Sequence, residues 1–468
     1  MSRVAVLGAG PSGLYAALAA AEAGHDVEVF EAAPAVGGMA GSFEVAGQRV
    51  DFGSHRLHPA TDPQIMARIR DLLGDDLQAR ERRGRIRLRD RWVGFPLRSV
   101  DMVRSLPLDF SARAAFDTLT GPLRRESDGS FAGEITRRLG PTIHREFYAP
   151  YAVKLYGAAS NELSSELADR RVAAGSPIDV LKKAVGARNE EGRRFWYPRN
   201  GYGQIAEAFA DAATEAGASI SLASPVAGLT RSAGEAGWSV AVGTSSGDEA
   251  SSRTTQVDVV LSSIPSPVLA DIIDPAPGTE VDGALAQLRN RGMVLVYLVV
   301  PRDQYTPFDA HYFPELEVRT ARLSEPKNYR DGDDPSGQTV LCAEVACWPG
   351  DDVWTADVEG LAELVTDDLG RAGLPAPDAV HAEVRRLPNV YPVFEPSTAS
   401  ARVVVDRWQA ALDGVVSFGR QGLNVPDNLH HVLAMGAAAA GAVGDGGTID
   451  RTVWQTSLDE FATHVVQD

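Results

Sequence analysis

The chain has 468 residues, and its 45 Lys and Arg against 63 Asp and Glu give a formal net charge of −18 at pH 7. Hydrophobic residues make up 44% of the sequence, which is typical of a globular protein with a large core and argues against a disordered or collagen-like chain. So negative a chain lacks the basic surface that binding to nucleic acids requires. No apolar run reaches the roughly 20 residues of a membrane-spanning helix. The N-terminal residues lack a signal-peptide pattern, so we expect a cytoplasmic protein.

The two cysteines, Cys342 and Cys347, are too few for a disulfide framework. No second cluster of Cys or His residues stands beside them in the sequence to complete a metal site. We therefore predict two buried thiols and no metal.

The first 31 residues follow the order strand, glycine-rich turn, helix, strand, acid. Glycines at 8, 10 and 13 allow a tight turn, a close approach to a pyrophosphate and close packing of the helix on the strand. The N terminus of that helix offers N–H groups to phosphates. An acid about 20 residues further on accepts hydrogen bonds from an adenosine ribose. We favour a dinucleotide site over the alternative, a glycine-rich turn without a ligand. The predicted contacts of the dinucleotide are Gly8, Gly10, Pro11, Ser12, Gly13 and Glu31.

A second glycine-rich loop, Gly37-Gly38-Met39-Ala40-Gly41, follows at once. Glycines at this offset let the loop run close to the same dinucleotide. The extended pattern resembles the flavin-binding fingerprint of the glutathione-reductase-like FAD oxidoreductases, in the branch of the amine oxidases, protoporphyrinogen oxidases and UDP-galactopyranose mutases. The resemblance implies FAD as the cofactor, with Gly38, Met39 and Ala40 beside it. Many members have Arg where this chain has Met39.

Residues 50–59 (VDFGSHRLHP) resemble the segment that runs under the isoalloxazine ring in this branch. By that resemblance Gly53, Ser54 and His55 contact the flavin. Arg56 and His58 are then the candidate catalytic residues of the pocket. From the residues alone, His55 and His58 are equally well interpreted as ordinary hydrogen-bonded loop residues.

Residues 147–171 are similar to a segment shared by the mutases and the oxidase-like proteins. The similarity implies that Lys154 and Arg171 bind substrate, and Tyr391 is a candidate wall of the same cavity. The alternatives are a helix that ends at Gly157 with solvent-facing charges, and an ordinary core position for Tyr391.

Two later segments complete the flavin site by the same resemblance. Val226 is expected to lie over the adenine through its backbone. A strand at 415–418 leads into Gly419 and Arg420. A helix then begins near Asn428 and Leu429, and its N terminus is expected to hold the pyrimidine edge of the flavin.

Together these segments predict an α/β fold in which the two domains are interleaved in sequence. Residues 1–75, 195–265 and 405–468 form a glutathione-reductase-like, FAD-binding Rossmann domain. Residues 76–194 and 266–404 form an α+β, amine oxidase-like substrate domain. The strand at 257–265 is expected to close the Rossmann sheet. A hairpin at 85–98 carries alternating arginines, which we interpret as a solvated face, with attraction of an anionic substrate as the alternative.

The resemblance implies an FAD-dependent oxidoreductase that dehydrogenates a small molecule by hydride transfer to flavin N5. Glycosyl and nucleotide-sugar-linked molecules are among the substrates it suggests. The alternative is a UDP-galactopyranose mutase-like reaction, in which reduced flavin attacks the sugar with no net redox change. A flavin-bound scaffold or sensor is the third hypothesis. Many amine oxidases place a lysine on the strand that we match to 293–300, which has none here; this argues against simple amine oxidation. The sequence does not identify the electron acceptor.

Overall fold

The computed structural model describes residues 1–95, 105–121, 124, 127–171, 194–231, 237–243 and 253–466. Within these ranges, no helix combines the length and hydropathy needed to cross a bilayer. The strands are β1 (Arg3–Leu7), β2 (Asp26–Phe30), β3 (Ser42–Val45), β4 (Gln48–Asp51), β5 (Leu77–Glu81), β6 (Gly84–Leu88), β7 (Arg91–Phe95), β8 (Arg194–Pro198), β9 (Ser219–Ser221), β10 (Val226–Arg231), β11 (Trp238–Val242), β12 (Arg253–Val257), β13 (Val259–Ser262), β14 (Ile273–Asp274), β15 (Asn290–Val300), β16 (Ala310–Tyr312), β17 (Arg322–Ser324), β18 (Thr339–Cys347), β19 (His381–Pro392) and β20 (Val415–Ser417).

Helices cover one face of the parallel sheet that includes β1 and one face of the largest sheet. The other face of the parallel sheet packs mainly on a four-stranded sheet of the order β12-β11-β10-β14. Short 3-10 turns lie at Gly38–Ala40, Gly74–Asp76 and Pro326–Tyr329, and a π-turn lies at His144–Tyr148. The α-helices are α1 (Pro11–Glu22), α2 (Pro63–Leu73), α3 (Leu108–Thr120), α4 (Phe131–Leu139), α5 (Pro141–Ile143), α6 (Ala149–Tyr156), α7 (Ser165–Arg171), α8 (Gln204–Glu215), α9 (Ser266–Ile272), α10 (Thr279–Leu285), α11 (Asp352–Thr355), α12 (Val358–Arg371), α13 (Pro396–Ala411), α14 (Gly419–Gly422), α15 (Leu429–Gly441) and α16 (Arg451–Phe461).

A parallel sheet in the order β20-β13-β1-β2-β9 carries the glycine-rich turn. Apart from Arg3, β1 is buried, as expected for an apolar parallel strand covered on both faces. The prediction that residues 257–265 close this sheet is wrong. That segment forms β13 inside the sheet, because the chain returns after β19 and adds β20 outside it. The predicted Rossmann-type α/β fold is confirmed, whereas the domain boundaries stay a prediction.

Helix α15 packs directly on α1 behind the glycine-rich turn. A Cβ added at Gly436 would overlap the carbonyl oxygen of Ser12, so only glycine allows the two backbones to approach this closely. The small residues of α15 therefore bring its N terminus to the same edge of the sheet as the N terminus of α1.

The largest sheet is mixed and has the order β19-β15-β18-β17-β16-β6-β7. Its long strand β15, next to the edge strand β19, is buried from Arg291 to Val300. One face of β15 packs on α12, and the other packs on the β3–β4 hairpin. On the second face, the Tyr297 hydroxyl donates to the Asp51 carbonyl oxygen at 2.6 Å. Cys342 and Cys347 on β18 are buried free thiols, as predicted.

The hairpin predicted at 85–98 is present as β6 and β7. Arg91 is exposed, as predicted, but the other three alternating arginines do not form a solvated face; residues 96–98 lie outside the described ranges. Arg87 is buried and forms an ion pair with Glu315, Arg89 donates twice to Glu146 at 2.9 Å, and Arg85 stacks on aromatic rings. The interpretation was wrong because the acidic partners lie far away in the sequence and leave no local pattern.

Candidate active site

The turn between β1 and α1 has a shape that fits a pyrophosphate. Gly8 has φ +96°, which favours glycine, and a Cβ added at Gly13 would overlap the Gly8 carbonyl oxygen. At Gly10 the situation is opposite, because no atom lies within 4 Å of the position that its Cβ would take. Gly10 caps α1, with Pro11 as the first helical residue. The open space beside Gly10 thus lies at a helix N terminus, where backbone N–H groups attract phosphate.

Glu31 directly follows β2 and lies next to this turn. Its carboxylate accepts hydrogen bonds from the backbone N–H groups of Ala9 at 2.7 Å and Ala33 at 2.8 Å. A carboxylate accepts about four hydrogen bonds, so lone pairs stay available for ribose hydroxyls. The backbone N–H of Ser224 donates to the Glu31 carbonyl oxygen at 2.8 Å. This bond brings the segment just before β10 next to Glu31; the contact of Val226 with the adenine stays a prediction.

The second glycine-rich loop closes over the first one. The Gly37 N–H donates to the Ala9 carbonyl oxygen at 2.8 Å, and Gly38 has φ +51° beside Gly10. Met39 Sδ lies 3.5 Å from the side-chain nitrogen of Gln421 in α14. The loop that includes Met39 therefore connects the glycine turn with the segment after β20. Ala40 packs against the hydrophobic core formed by α1, α8 and α15.

The segment after β20 meets the N termini of two helices. A Cβ added at Gly419, which has φ +77°, would lie 2.7 Å from Ser12 Oγ at the start of α1. Asn428 caps α15 and Leu429 is its first residue, as the sequence predicts. Residues from three distant stretches of the chain thus converge on one place, as expected for a flavin site.

The segment at 53–55 is held by a buried ion pair that the sequence did not reveal. Glu344 Oε1 accepts from the Ser54 N–H at 2.8 Å, and the two Glu344 oxygens accept from Arg322, both at 2.8 Å. The Ser54 hydroxyl lies 2.6 Å from the Tyr329 hydroxyl. Gly53 has φ +96°, and its Cβ position lies 3.3 Å from Glu344 Oε1. The pair therefore fixes the backbone of this segment.

His55 has an unsatisfied polar atom at the centre of the site. Its ring stacks on Tyr202 with centroids 5.1 Å apart, and Nδ1 has no hydrogen-bond partner. Burial, together with the Arg322 and Arg420 cations, lowers the pKa of His55 to about 3. The imidazole is therefore neutral near pH 7, and its orphan nitrogen fits a bound cofactor or substrate.

Arg56 and His58, the predicted catalytic residues, are both held by protein groups. Arg56 donates to Asp309 at 3.0 Å and to the Tyr312 hydroxyl at 3.2 Å. His58 faces His430 with ring centroids 5.6 Å apart. These contacts favour structural roles, and catalysis by either residue stays a prediction.

Arginine and tyrosine side chains form one face of the site. The Arg171 guanidinium lies over the Tyr391 ring at 5.5 Å, and the rings of Tyr156 and Tyr391 are 6.0 Å apart. Arg420 donates to the Val390 carbonyl oxygen next to Tyr391. Burial and then the nearby Arg171 cation lower the pKa of Arg420. We call Arg171, Arg322, Arg420, Tyr156 and Tyr391 the arginine–tyrosine face.

Lys154, which the sequence placed at the substrate, has other partners. Its ammonium donates to the backbone carbonyl oxygens of Phe313, Glu315 and Thr320. Burial lowers its pKa to about 7. An ammonium has three donors, so these carbonyls use all of them, and we leave Lys154 out of the proposed substrate site. Lys327, the other described lysine, also donates to backbone carbonyls.

A row of four histidines next to Asp427 was missed by the sequence analysis. The rings of His430 and His431 are 4.0 Å apart, and those of His431 and His464 are stacked at 4.2 Å. His464 Nδ1 lies 2.6 Å from Asp427 Oδ2. Adjacent His430 and His431 were visible in the sequence, but their contact with His464 depends on the fold. Ligand atoms of Asp427, His431 and His464 lie within 4.8 Å of one another, so the prediction of no metal stays untested.

This row makes stability depend on pH. Burial lowers the pKa of His430 to about 3 and that of His431 to about 4, against about 6.5 in an unfolded chain. The unfolded state therefore binds more protons in acid. The stabilisation is complete above about pH 6.5 and is lost as the pH falls towards about 4. We expect the free energy of unfolding, measured with denaturant, to fall by about 1 kcal/mol or more per histidine between about pH 7 and pH 5.

The variant His430→Leu should lose less stability over the same range. His431 stays in place next to it and keeps its own contribution. Replacement of the exposed His381 by glutamine serves as the control and should leave the pH dependence unchanged. Equal acid sensitivity of wild type and His430→Leu would show that the row does not control it.

Comparison with known proteins agrees with this geometry. Residues 11–416 match the family model described as flavin containing amine oxidoreductase. The fold is similar to a reduced UDP-galactopyranose mutase, with 20% identity, 100% of both chains covered and a TM-score of 0.80. It is also similar to a protein from Exiguobacterium sp. 255-15 provisionally named protoporphyrinogen oxidase, with 17% identity, 98% and 99% of the chains covered and a TM-score of 0.72.

A third similar structure is wild-type putrescine oxidase bound to putrescine, with 17% identity, 94% of this chain and 98% of that chain covered, and a TM-score of 0.63. No curated protein matches the chain. The predicted fold class and the predicted resemblance are confirmed. Because the family model covers most of the sequence, the chain belongs to the flavin containing amine oxidoreductase family, and its cofactor is FAD.

Proposed function

We propose that the protein is an FAD-dependent oxidoreductase that dehydrogenates a small anionic molecule of the glycosyl or nucleotide-sugar-linked class. The observation that carries this proposal is the arginine–tyrosine face beside His55. FAD supplies a hydride acceptor at N5 when it is bound. The chain's own residues bind the substrate, orient it and exclude water.

The charge of this face supports an anion rather than an amine. Arg420 lowers the pKa of His55 and Arg171 lowers that of Arg420, so these two cations lie close enough to affect a shared site, whereas the charge of Arg322 is balanced by Glu344. Cations held together in a partly desolvated site attract an anion and repel a protonated amine. The described part of β15 carries no lysine, which also argues against the arrangement of simple amine oxidases.

Each group of the face has a plausible task from its chemistry. Guanidinium groups such as Arg171 and Arg420 match the geometry of phosphate oxygens. The rings of Tyr156 and Tyr391 offer flat apolar surface to a sugar or a base. His55 has a pKa of about 3, so it stays unprotonated near pH 7 and acts as a hydrogen-bond partner rather than as a proton acceptor of matched pKa.

The variant Arg171→Ala tests the anion site. We expect uridine diphosphate to bind the wild-type holoenzyme and to weaken about tenfold in the variant, since a charged hydrogen bond is lost. Binding is measured by calorimetry, while the flavin absorption spectrum checks that FAD is retained. The matched control is Arg289→Ala, which removes an exposed arginine that stacks on Trp348. Failure of uridine diphosphate to bind the wild type would exclude the nucleotide-sugar class.

The alternative is a mutase-like reaction with no net redox change. The specific observation in its favour is the same arginine–tyrosine face, because a diphosphate held there suits a nucleotide sugar in either reaction. The two functions separate when UDP-galactopyranose is incubated anaerobically with oxidised and with dithionite-reduced enzyme. Isomerisation by the reduced enzyme alone would establish the alternative. Bleaching of the oxidised flavin by a glycosyl substrate would establish the oxidoreductase.

A further inference from the structure

The row of histidines ends at a group of three side chains that suits a transition-metal ion. Ligand atoms of Asp427, His431 and His464 lie within 4.8 Å of one another. Asp427 lies in the loop before α15, His431 lies in the first turn of that helix, and His464 follows the end of α16. We call these three side chains the Asp–His cluster. The function proposed for the flavin site uses none of them.

The distances within the Asp–His cluster are close to those around a bound ion. Asp427 Oδ2 lies 2.6 Å from His464 Nδ1 and 3.9 Å from His431 Nδ1. Ligand atoms at about 2.1 Å from a tetrahedral ion are about 3.4 Å from one another, so movements of about 1 Å at the side-chain ends would place the three atoms around one ion. The Asn428 N–H donates to His431 Nδ1 at 3.4 Å, a long hydrogen bond that coordination would replace.

The carboxylate of Asp427 lacks part of the compensation that a buried charge requires. Its side chain is 1% exposed, and Oδ1 accepts no hydrogen bond from the described residues. Arg170 NH1 forms only a distant ion pair with it at 4.0 Å, because Arg170 Nε donates to Glu166 at 3.1 Å. Buried carboxylates are stabilised by a close cation or by a metal ion. A metal ion at the Asp–His cluster would supply this missing positive charge.

The chemistry of the ligands selects the class of ion. Imidazole nitrogens suit zinc, copper, iron and nickel, whereas magnesium and calcium prefer sites built from oxygen atoms alone. Three protein ligands leave the fourth position of a zinc ion to water. The side chains of His431 and His464 are 12% and 14% exposed, so an ion reaches them from solvent.

We propose that Asp427, His431 and His464 bind one divalent transition-metal ion of the zinc type. The ion joins the loop before α15, the first turn of that helix and the segment after α16. The Val466 N–H of this last segment donates to the Arg170 carbonyl oxygen at 2.7 Å, so the ion strengthens an existing contact between the segment and α7. The site is independent of the substrate class that is proposed for the flavin site, and it replaces the sequence-based prediction of no metal.

Calorimetric titration of the FAD-loaded protein with zinc chloride tests this proposal, after treatment with a chelator and gel filtration. The titration is run near pH 7, where histidine side chains are largely unprotonated. We expect one equivalent of zinc to bind with a Kd of about 1 μM or tighter. Magnesium chloride is the comparison, and it should show no saturable binding at this site.

The variants His464→Gln and His431→Gln each remove one ligand. Both should weaken zinc binding about 100-fold or more, since loss of a residue that merely supports a ligand already costs about 10–100-fold. Circular dichroism and the flavin absorption spectrum check that each variant is folded and loaded. If one variant does not fold, the other decides the result.

The matched control is His381→Gln. This change removes an exposed histidine whose Nε2 lies 3.6 Å from a carboxylate oxygen of Glu383, so it tests for zinc on surface histidines. The control should bind zinc as the wild type does. Any of four results would overturn the proposal: no saturable zinc binding to the wild type, equal binding of zinc and magnesium, unchanged zinc binding in the folded ligand variants, or loss of the zinc site in His381→Gln.

Discussion

Replacement of Gly10 by valine should abolish FAD binding and leave the protein folded. Gly10 has φ −71° and ψ 170°, which any residue adopts, and nothing lies within 4 Å of its Cβ position. The valine side chain therefore causes no clash within the protein, but it fills the space in which the pyrophosphate must approach the backbone. We expect FAD affinity to fall by about 100-fold or more. The readout is the flavin absorption retained after reconstitution and gel filtration.

The matched control for this variant is Gly278→Val. Gly278 caps α10 with φ −77° and ψ 169°, and nothing lies within 4 Å of its Cβ position either. The Gly278→Val protein should bind FAD normally. By contrast, Gly13→Val should fail to fold, because its side chain would overlap the Gly8 carbonyl oxygen. Circular dichroism separates loss of fold from loss of cofactor, and a Gly10→Val protein with a full complement of FAD would refute the assignment of the turn.

The parts of the site that could be predicted from the sequence are those whose physics is local. The turn from Gly8 to Gly13 and the acid at Glu31 lie within one strand–helix–strand unit, so their spacing alone predicts the geometry. The cap at Asn428 was predictable for the same reason, since a polar residue before a small-residue helix is a local signal.

The rest could not be predicted because it depends on contacts between distant segments. The partner of Ser54 is Glu344, which is 290 residues away, and no periodicity links the two. Lys154 is a second example. The resemblance located its helix, but the partners of its ammonium are backbone carbonyls of a distant segment, from Phe313 to Thr320.

The Arg322–Glu344 pair should give the second large effect. The two side chains are 18% and 3% exposed and join through two hydrogen bonds of 2.8 Å. The variant Glu344→Ala removes this carboxylate, so the Arg322 charge stays buried without compensation and the Ser54 N–H loses its acceptor. We expect the free energy of unfolding to fall by about 3–5 kcal/mol. Urea denaturation of the FAD-free and FAD-loaded proteins measures it.

A variant that lacks both charges shows whether the charge pair itself causes this loss. The double variant Arg322→Met/Glu344→Leu removes both charges and should recover part of the stability lost in Glu344→Ala, because no buried charge is left alone. As a control, Asp331→Ala breaks the exposed pair with Arg80 and should cost less than about 1 kcal/mol.

The same variants test whether the Arg322–Glu344 pair affects the flavin site. Because Glu344 holds the Ser54 N–H, its loss should release the backbone next to His55 and shift the flavin absorption of the loaded enzyme. The double variant regains charge balance but not this hydrogen bond, so its stability should recover while the flavin spectrum stays shifted. Recovery of both properties together would mean that the pair acts only through charge balance. A Glu344→Ala protein within about 1 kcal/mol of wild type would contradict the assignment of this pair as the anchor of the segment.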